Sequence, residues 1–210
     1  WLTVLDADDF YEPGRTAGLL AHADGQDFVA DNLWKVSDDA IAGPRTPLLG
    51  NMTAPTTIDF TSFVRGNVSQ RGHQRGELGF IKPLIRRGFL DAHGLRFSEA
   101  MRLGEDYELY ARALALGARM VLIPPQGYIA VMREDSLSAR HSIHDLAVLR
   151  DSDAALARDF KLTTEQRRAL ALHYRSVDSR LQWRLLIEAV KRRDVASSLA
   201  CFSHSPAVSF

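Results

Sequence analysis

Apolar residues in this chain first appear as short unbroken runs that end in acids. Trp1-Leu-Thr-Val-Leu5 stops at Asp6, Asp8 and Asp9, and Phe28-Val-Ala30 stops at Asp31. Runs of that length and β-forming character predict buried strands of a parallel sheet, with their acids delivered to its carboxyl edge. Pro13-Gly14 breaks the chain between them, and Leu19, Leu20 and Ala23 fall at helical spacing, which predicts a strand–helix–strand unit. Residues 36–57 read as loop. A short helix is expected from Ile58 to Arg65 with Thr57 as its cap, and residues 66–79 carry four glycines among polar side chains, the composition of a ligand-approaching loop. Phe80-Ile-Lys82 reads as a strand, with Pro83 opening a helix that holds Arg86 and Arg87.

The pattern changes at Gly104. Glu105 and Asp106 open a helix whose apolar positions Leu109, Ala113 and Leu116 share one face and which Gly117 stops. Met120-Val-Leu-Ile123 and residues 127–132 read as strands. From Ser142 on every rhythm is helical: 143–159, then 164–193 behind the capping box Thr163-x-x-Gln166, then a short helix after Asp194. The fold class expected is therefore α/β, with a mixed-sheet domain over 1–142 and a helical extension over 143–210.

Composition narrows the partners. Lys+Arg and Asp+Glu both number 26, so the basic excess of a general nucleic-acid binder is missing. The one cysteine, Cys201, cannot close an internal disulfide, which points to a reducing, cytoplasmic setting. No apolar stretch approaches the roughly 20 residues of a membrane span. The chain opens on Trp1 directly inside an apolar run, so it reads as a piece of a longer protein whose upstream strands are missing. Such an edge, unpaired and apolar, also predicts association into a homodimer.

Two acidic foci carry the candidate chemistry. Asp6, Asp8 and Asp9 repel one another unless a cation or a shifted pKa relieves them, and a divalent metal holding a phosphate does so. Glu105 and Asp106, in a first helical turn, complement the helix dipole and suit a general base kept ionised. Lys82 and Arg86 offer charge to a phosphate or an acceptor, though cations in such places often only pack their stems. Asp31 closes its strand as a solvated acid or a liner of the acceptor side. Tyr107 reads as packed, and His22 and His173 lack metal-ligand spacing.

These stretches in this order resemble glycosyltransferase family 2, in its bacterial exopolysaccharide, succinoglycan-type branch. The likeness rests on Trp1-Leu-Thr-Val-Leu-Asp-Ala-Asp-Asp9, Phe80-Ile-Lys-Pro-Leu-Ile-Arg-Arg87, Gly104-Glu-Asp-Tyr-Glu-Leu109 with Arg112-Ala-Leu-Ala-Leu-Gly-Ala118, and Asp135-Ser-Leu-Ser-Ala-Arg-His-Ser142. The resemblance implies a partial GT-A fold, Rossmann-like, without its N-terminal nucleotide-binding part. It implies a metal-dependent inverting transfer of a sugar from a UDP-sugar to a saccharide hydroxyl, the acceptor lipid-linked and the protein peripheral at the inner face of the membrane. By the same likeness Asp8 contacts Mn2+ or Mg2+, Asp6 lies near the ribose, and Asp106 is the base with Glu105 beside it. Lys82 and Arg133 contact the donor, and His141 lies on a loop over the diphosphate, near the metal. Lacking the upstream part, the 210-residue chain is expected to bind nucleotide sugar weakly. Two other classes answer part of the pattern: a haloacid-dehalogenase-type phosphatase, which calls for Thr or Val where Phe10 stands, and a non-catalytic α/β interaction domain.

Overall fold

The computed structural model describes residues 1–68, 77–133 and 141–204. Most of the glycine-rich loop and of the Asp135–Ser142 motif thus lies outside the described residues. In chain order the elements are β1 (Phe10–Tyr11), α1 (Arg15–Leu20), β2 (Phe28–Asp31), β3 (Trp34–Ser37), β4 (Thr46–Pro47), β5 (Thr56–Ile58), α2 (Phe60–Gly66), β6 (Leu84–Ile85), α3 (Arg87–Ala92), α4 (Glu105–Ala115), β7 (Met120–Ile123), β8 (Tyr128–Met132), α5 (Ile143–Asp159), α6 (Thr164–Lys191) and α7 (Val195–His204).

They form two mixed sheets, ordered β5-β7-β2-β6 and β1-β8-β3-β4. In the first, β2 and β7 pair in parallel while β5 and β6 flank them antiparallel. The central pair is apolar on both faces because both faces are covered. Phe28, Ala30, Met120 and Leu122 point into the main core with Phe60, Phe63 and Tyr110, while Val29 and Ile123 turn the other way onto Leu19 of α1 and Leu84. Helices α5 and α6 close the same main core through Leu146, Leu149, Leu170, Val177 and Leu181.

Three local expectations are corrected. The Trp1–Leu5 run is not a buried parallel strand: Leu2 alone bridges Ile85, antiparallel, and Trp1, Leu2 and Leu5 are exposed. Its one bridge partner among the described residues is the two-residue β6, so the ladder ends after one pair of bonds. Because β6 is antiparallel to both Leu2 and β2, the initial segment runs parallel to β2 but is separated from it by β6. The cap of α2 is Asp59, not Thr57, in a reciprocal capping box with Ser62. Pro83 opens no helix. Residues 78–80 form a 3-10 turn, the chain then passes through β6, and the helix starts at Arg87. The remaining helices follow the sequence pattern closely, including the Thr163–Gln166 box of α6.

Candidate active site

The site is assembled at the carboxyl end of β2. The β2–β6 register pairs Val29 with Leu84, and two residues further along it brings Asp31 level with Lys82. The Leu2–Ile85 bridge runs the initial segment alongside in the opposite direction, so Asp6 arrives at the same place. Helix α4 supplies the third group. It begins at Gly104, whose backbone is left-handed (φ 73°), and a Cβ there would lie 2.7 Å from Leu149 Cδ1 of α5. The left-handed backbone and the close approach of α5 both favour glycine at the start of α4, the helix that carries Asp106 to Lys82.

Lys82 is the centre of the group. Its buried ammonium lies 2.5 Å from Asp106 Oδ2 and 3.3 Å from Asp6 Oδ2. Burial alone would lower its pKa, but the Asp106 and Asp6 carboxylates more than offset that and leave it raised, so the side chain is a fixed cation. Asp106, also buried, receives the Tyr110 hydroxyl at 3.4 Å on its other oxygen. Its pKa is raised: burial pushes it up, Lys82 pulls it part of the way back, and Glu105 and Asp6 push it up again. The carboxylate expected at the helix terminus is thus buried, has an elevated pKa and is paired with a lysine.

Asp9 belongs to the scaffold of the acidic turn. It accepts the Tyr128 hydroxyl at 2.6 Å and the Val131 amide at 2.9 Å, tying the turn to β8. Asp8 is exposed and Glu105 half-buried. Arg133 is exposed at the end of the described segment after β8, and His141 is half-buried just before Ser142, the cap of α5. Among the described residues no group of three or more His, Cys, Asp and Glu side chains could hold a metal ion. Asp8 and His141 thus make no preformed cage.

Sequence reasoning missed Arg15, the residue beneath the site. It is 1% exposed, and its guanidinium donates to Asp31 Oδ1 (3.0 and 2.7 Å) and to the Lys82 carbonyl (2.6 Å) while stacking 4.4 Å from the Tyr11 ring and 5.0 Å from that of Tyr128. Arg15 therefore braces the backbone that presents Lys82 and the tyrosine that holds Asp9. No spacing signal marks it, because Asp31, the Lys82 carbonyl and Tyr128 come from three distant segments. Asp31, expected as a solvated or acceptor-lining acid, is buried as its counter-ion and also accepts the Gln126 amide at 3.0 Å. Arg86 turns away from the site to Asp27, at the opposite end of β2.

Tyr107 and His173 also prove to be buried partners. Asp153 of α5 accepts the Tyr107 hydroxyl at 2.9 Å and pairs with His173 Nδ1 of α6 at 2.7 Å, and the two rings stack 4.2 Å apart. Helices α4, α5 and α6 are thereby joined one residue away from Asp106.

Comparison with known proteins bears on this arrangement. No protein-family model matches the chain. It is 46% identical over 185 residues, 88% of its length, to the succinoglycan biosynthesis protein ExoU of Rhizobium meliloti (strain 1021), and 32% identical over 206 residues, 95% of its length, to ExoO of the same organism. The chain is a relative of the succinoglycan biosynthesis proteins. It spans about half the length of both, 54% and 57%. Among solved structures, S. aureus TarS residues 1–349 in complex with UDP-GlcNAc superposes with a TM-score of 0.51 at 17% identity, over 95% of this chain and 66% of TarS. At that identity the likeness speaks for the fold alone, which is the partial GT-A type that the succinoglycan-like motifs imply.

Proposed function

We propose that this chain is part of an exopolysaccharide glycosyltransferase that moves a sugar from a nucleotide-diphosphate donor to a saccharide hydroxyl with inversion. The observation that carries the reading is the Lys82 ammonium shared by Asp6 and Asp106. It joins two acids a hundred residues apart in one ion-paired group at the carboxyl edge of the sheet, where α/β folds take their ligands. The kinship with succinoglycan biosynthesis proteins supports the pathway, and the UDP-GlcNAc held by TarS supports a nucleotide-sugar donor.

In this reading Asp106 takes the proton of the acceptor hydroxyl as that oxygen attacks the anomeric carbon, and the nucleoside diphosphate departs from the opposite face. A carboxylate with an elevated pKa is better matched to that task than an ordinary one. Lys82 keeps the base ionised, Glu105 adds negative potential at the helix start, and Asp6 faces the donor's ribose. Arg133 and His141, at either side of the segment that follows β8, reach the diphosphate. Mn2+ or Mg2+ held by Asp8 and the donor's phosphates would supply neutralisation of the leaving group. The acceptor is lipid-linked, the setting is the inner membrane face, and the exposed Trp1–Leu5 edge joins either further strands of the protein or a second copy. The phosphatase alternative is not favoured, because the chain's kinship is with succinoglycan biosynthesis proteins.

The test is a transfer and hydrolysis screen of the complete gene product against a panel of UDP-sugars with a membrane-lipid extract as acceptor. Sugar transfer that disappears in Asp106→Asn supports the reading. Phosphate release from simple phosphomonoesters without sugar transfer would replace it.

A further inference from the structure

Helix α6 has two apolar faces. One, with Leu170, Val177 and Leu181, is docked in the core. The other is open: Leu172, Trp183 and Val190 are 45%, 53% and 61% exposed. Their separations of 11 and 7 residues are close to three and two whole turns, so they line up along one stripe. Exposed cations border it on both sides at the same heptad spacing, Arg168 and Arg175 along one flank and Arg184 and Lys191, the latter paired with Glu188 at 3.2 Å, along the other. Helix α7, which packs back on α6, leaves Val195, Leu199 and Phe202 exposed as well, at positions i, i+4 and i+7.

We propose that the exposed stripe of α6, with the exposed apolar residues of the adjoining α7, seats the protein on an anionic lipid surface. An apolar stripe carrying a tryptophan and hemmed by long basic side chains matches a bilayer interface: the apolar residues enter the acyl boundary, the indole sits among headgroups, and the arginines and lysine reach lipid phosphates. Charge decides against a second copy as the occupant, since a self-complementary contact would set these cations against themselves. No helix among the described residues is long and apolar enough to cross a membrane, so the contact is with the surface. The inference rests on the peripheral setting in the functional reading and gives it a specific face.

Co-sedimentation of the 210-residue chain with vesicles tests it. Binding is expected to vesicles containing phosphatidylglycerol, to weaken with salt, and to be absent with pure phosphatidylcholine. Arg184→Gln with Lys191→Gln should weaken partitioning about 25-fold, at about fivefold for each cation removed. Trp183→Ser with Val190→Ser should weaken it at least about tenfold, with the helical circular dichroism of both variants unchanged. Wild-type protein that stays in the supernatant, variants that sediment like wild type, or a wild-type dimer by light scattering that the serine variants dissolve would each overturn the proposal. Sugar transfer to a soluble acceptor, measured in parallel on the complete gene product, separates the two readings: its failure leaves vesicle binding standing, and failure of vesicle binding leaves transfer standing.

Discussion

The Lys82 ammonium lies 2.5 Å from the Asp106 carboxylate, and both groups are buried. A charge pair in that position costs desolvation on each side, and its attraction offsets the cost only while both partners remain. The lysine thus favours the ionised form of the candidate base against the upward push of burial.

A pH profile follows from that balance. The raised pKa of Asp106 places the acid limb of kcat/KM above the roughly pH 4 of an ordinary carboxylate. Lys82→Met removes the group that pulls the pKa down, so the limb should move to higher pH, with the loss of activity greatest in acid. A limb that stays where it is in Lys82→Met would remove the lysine from this role.

Metal dependence should run through Asp8 and the donor together. Calorimetric titration of Mn2+ into the complete gene product should show weak binding alone and tighter binding with UDP. Asp8→Asn should weaken the UDP-dependent step at least about tenfold. Tight Mn2+ binding without nucleotide would contradict a site completed by the donor's phosphates.

Arg15 and Asp31 offer a test of the scaffold. Arg15→Met leaves a buried carboxylate without its cation and should cost about 3–5 kcal/mol in denaturant unfolding. Replacing both, as Arg15→Met with Asp31→Leu, removes the stranded charge and should recover a large part of that loss. A double variant as unstable as the single one would show that packing on Tyr11 and Tyr128, rather than the ion pair, dominates.

The Tyr107–Asp153–His173 link ties α5 and α6 to α4. Asp153→Ala orphans two buried polar groups, at a cost of about 2 kcal/mol or more. For a chain of this size that lowers the melting temperature by about 4–8 °C. The pKa of Asp153 is raised, with burial outweighing the His173 and Tyr107 hydrogen bonds, so ionising the carboxyl opposes folding. Its contribution should make the wild type gain stability as pH falls toward the ordinary carboxylate range, and Asp153→Ala should lose that gain. Thermal melts of both proteins between pH 4 and 8 check the sign.

Periodicity made the helices legible: α4, α5 and α6 begin where their caps and apolar stripes place them, because those signals are local. The strands β2, β7 and β8 were equally plain. What local reading could not reach was partnership. The Trp1–Leu5 run looks buried by composition, yet its burial depends on neighbours that one bridge to Ile85 does not supply. Asp59 displaced Thr57 as a cap because the Ser62 hydroxyl three residues on completes the box. In the candidate site the two acidic foci were visible as motifs, and Lys82 as a cation near them, but its place between Asp6 and Asp106 is set by the β2–β6 register and the Leu2 bridge. Arg15 carried no mark at all, since its partners Asp31 and the Lys82 carbonyl are tertiary.

Single-turnover sugar transfer by Asp106→Asn in the complete gene product, at saturating donor, tests most directly whether the Asp6–Lys82–Asp106 group performs the chemistry. The expected result is a drop in rate of about 10²–10⁴-fold, the usual contribution of a general base, with donor affinity by calorimetry within about twofold of wild type. A rate within about threefold of wild type, with Lys82 left buried beside a neutral amide, would contradict it.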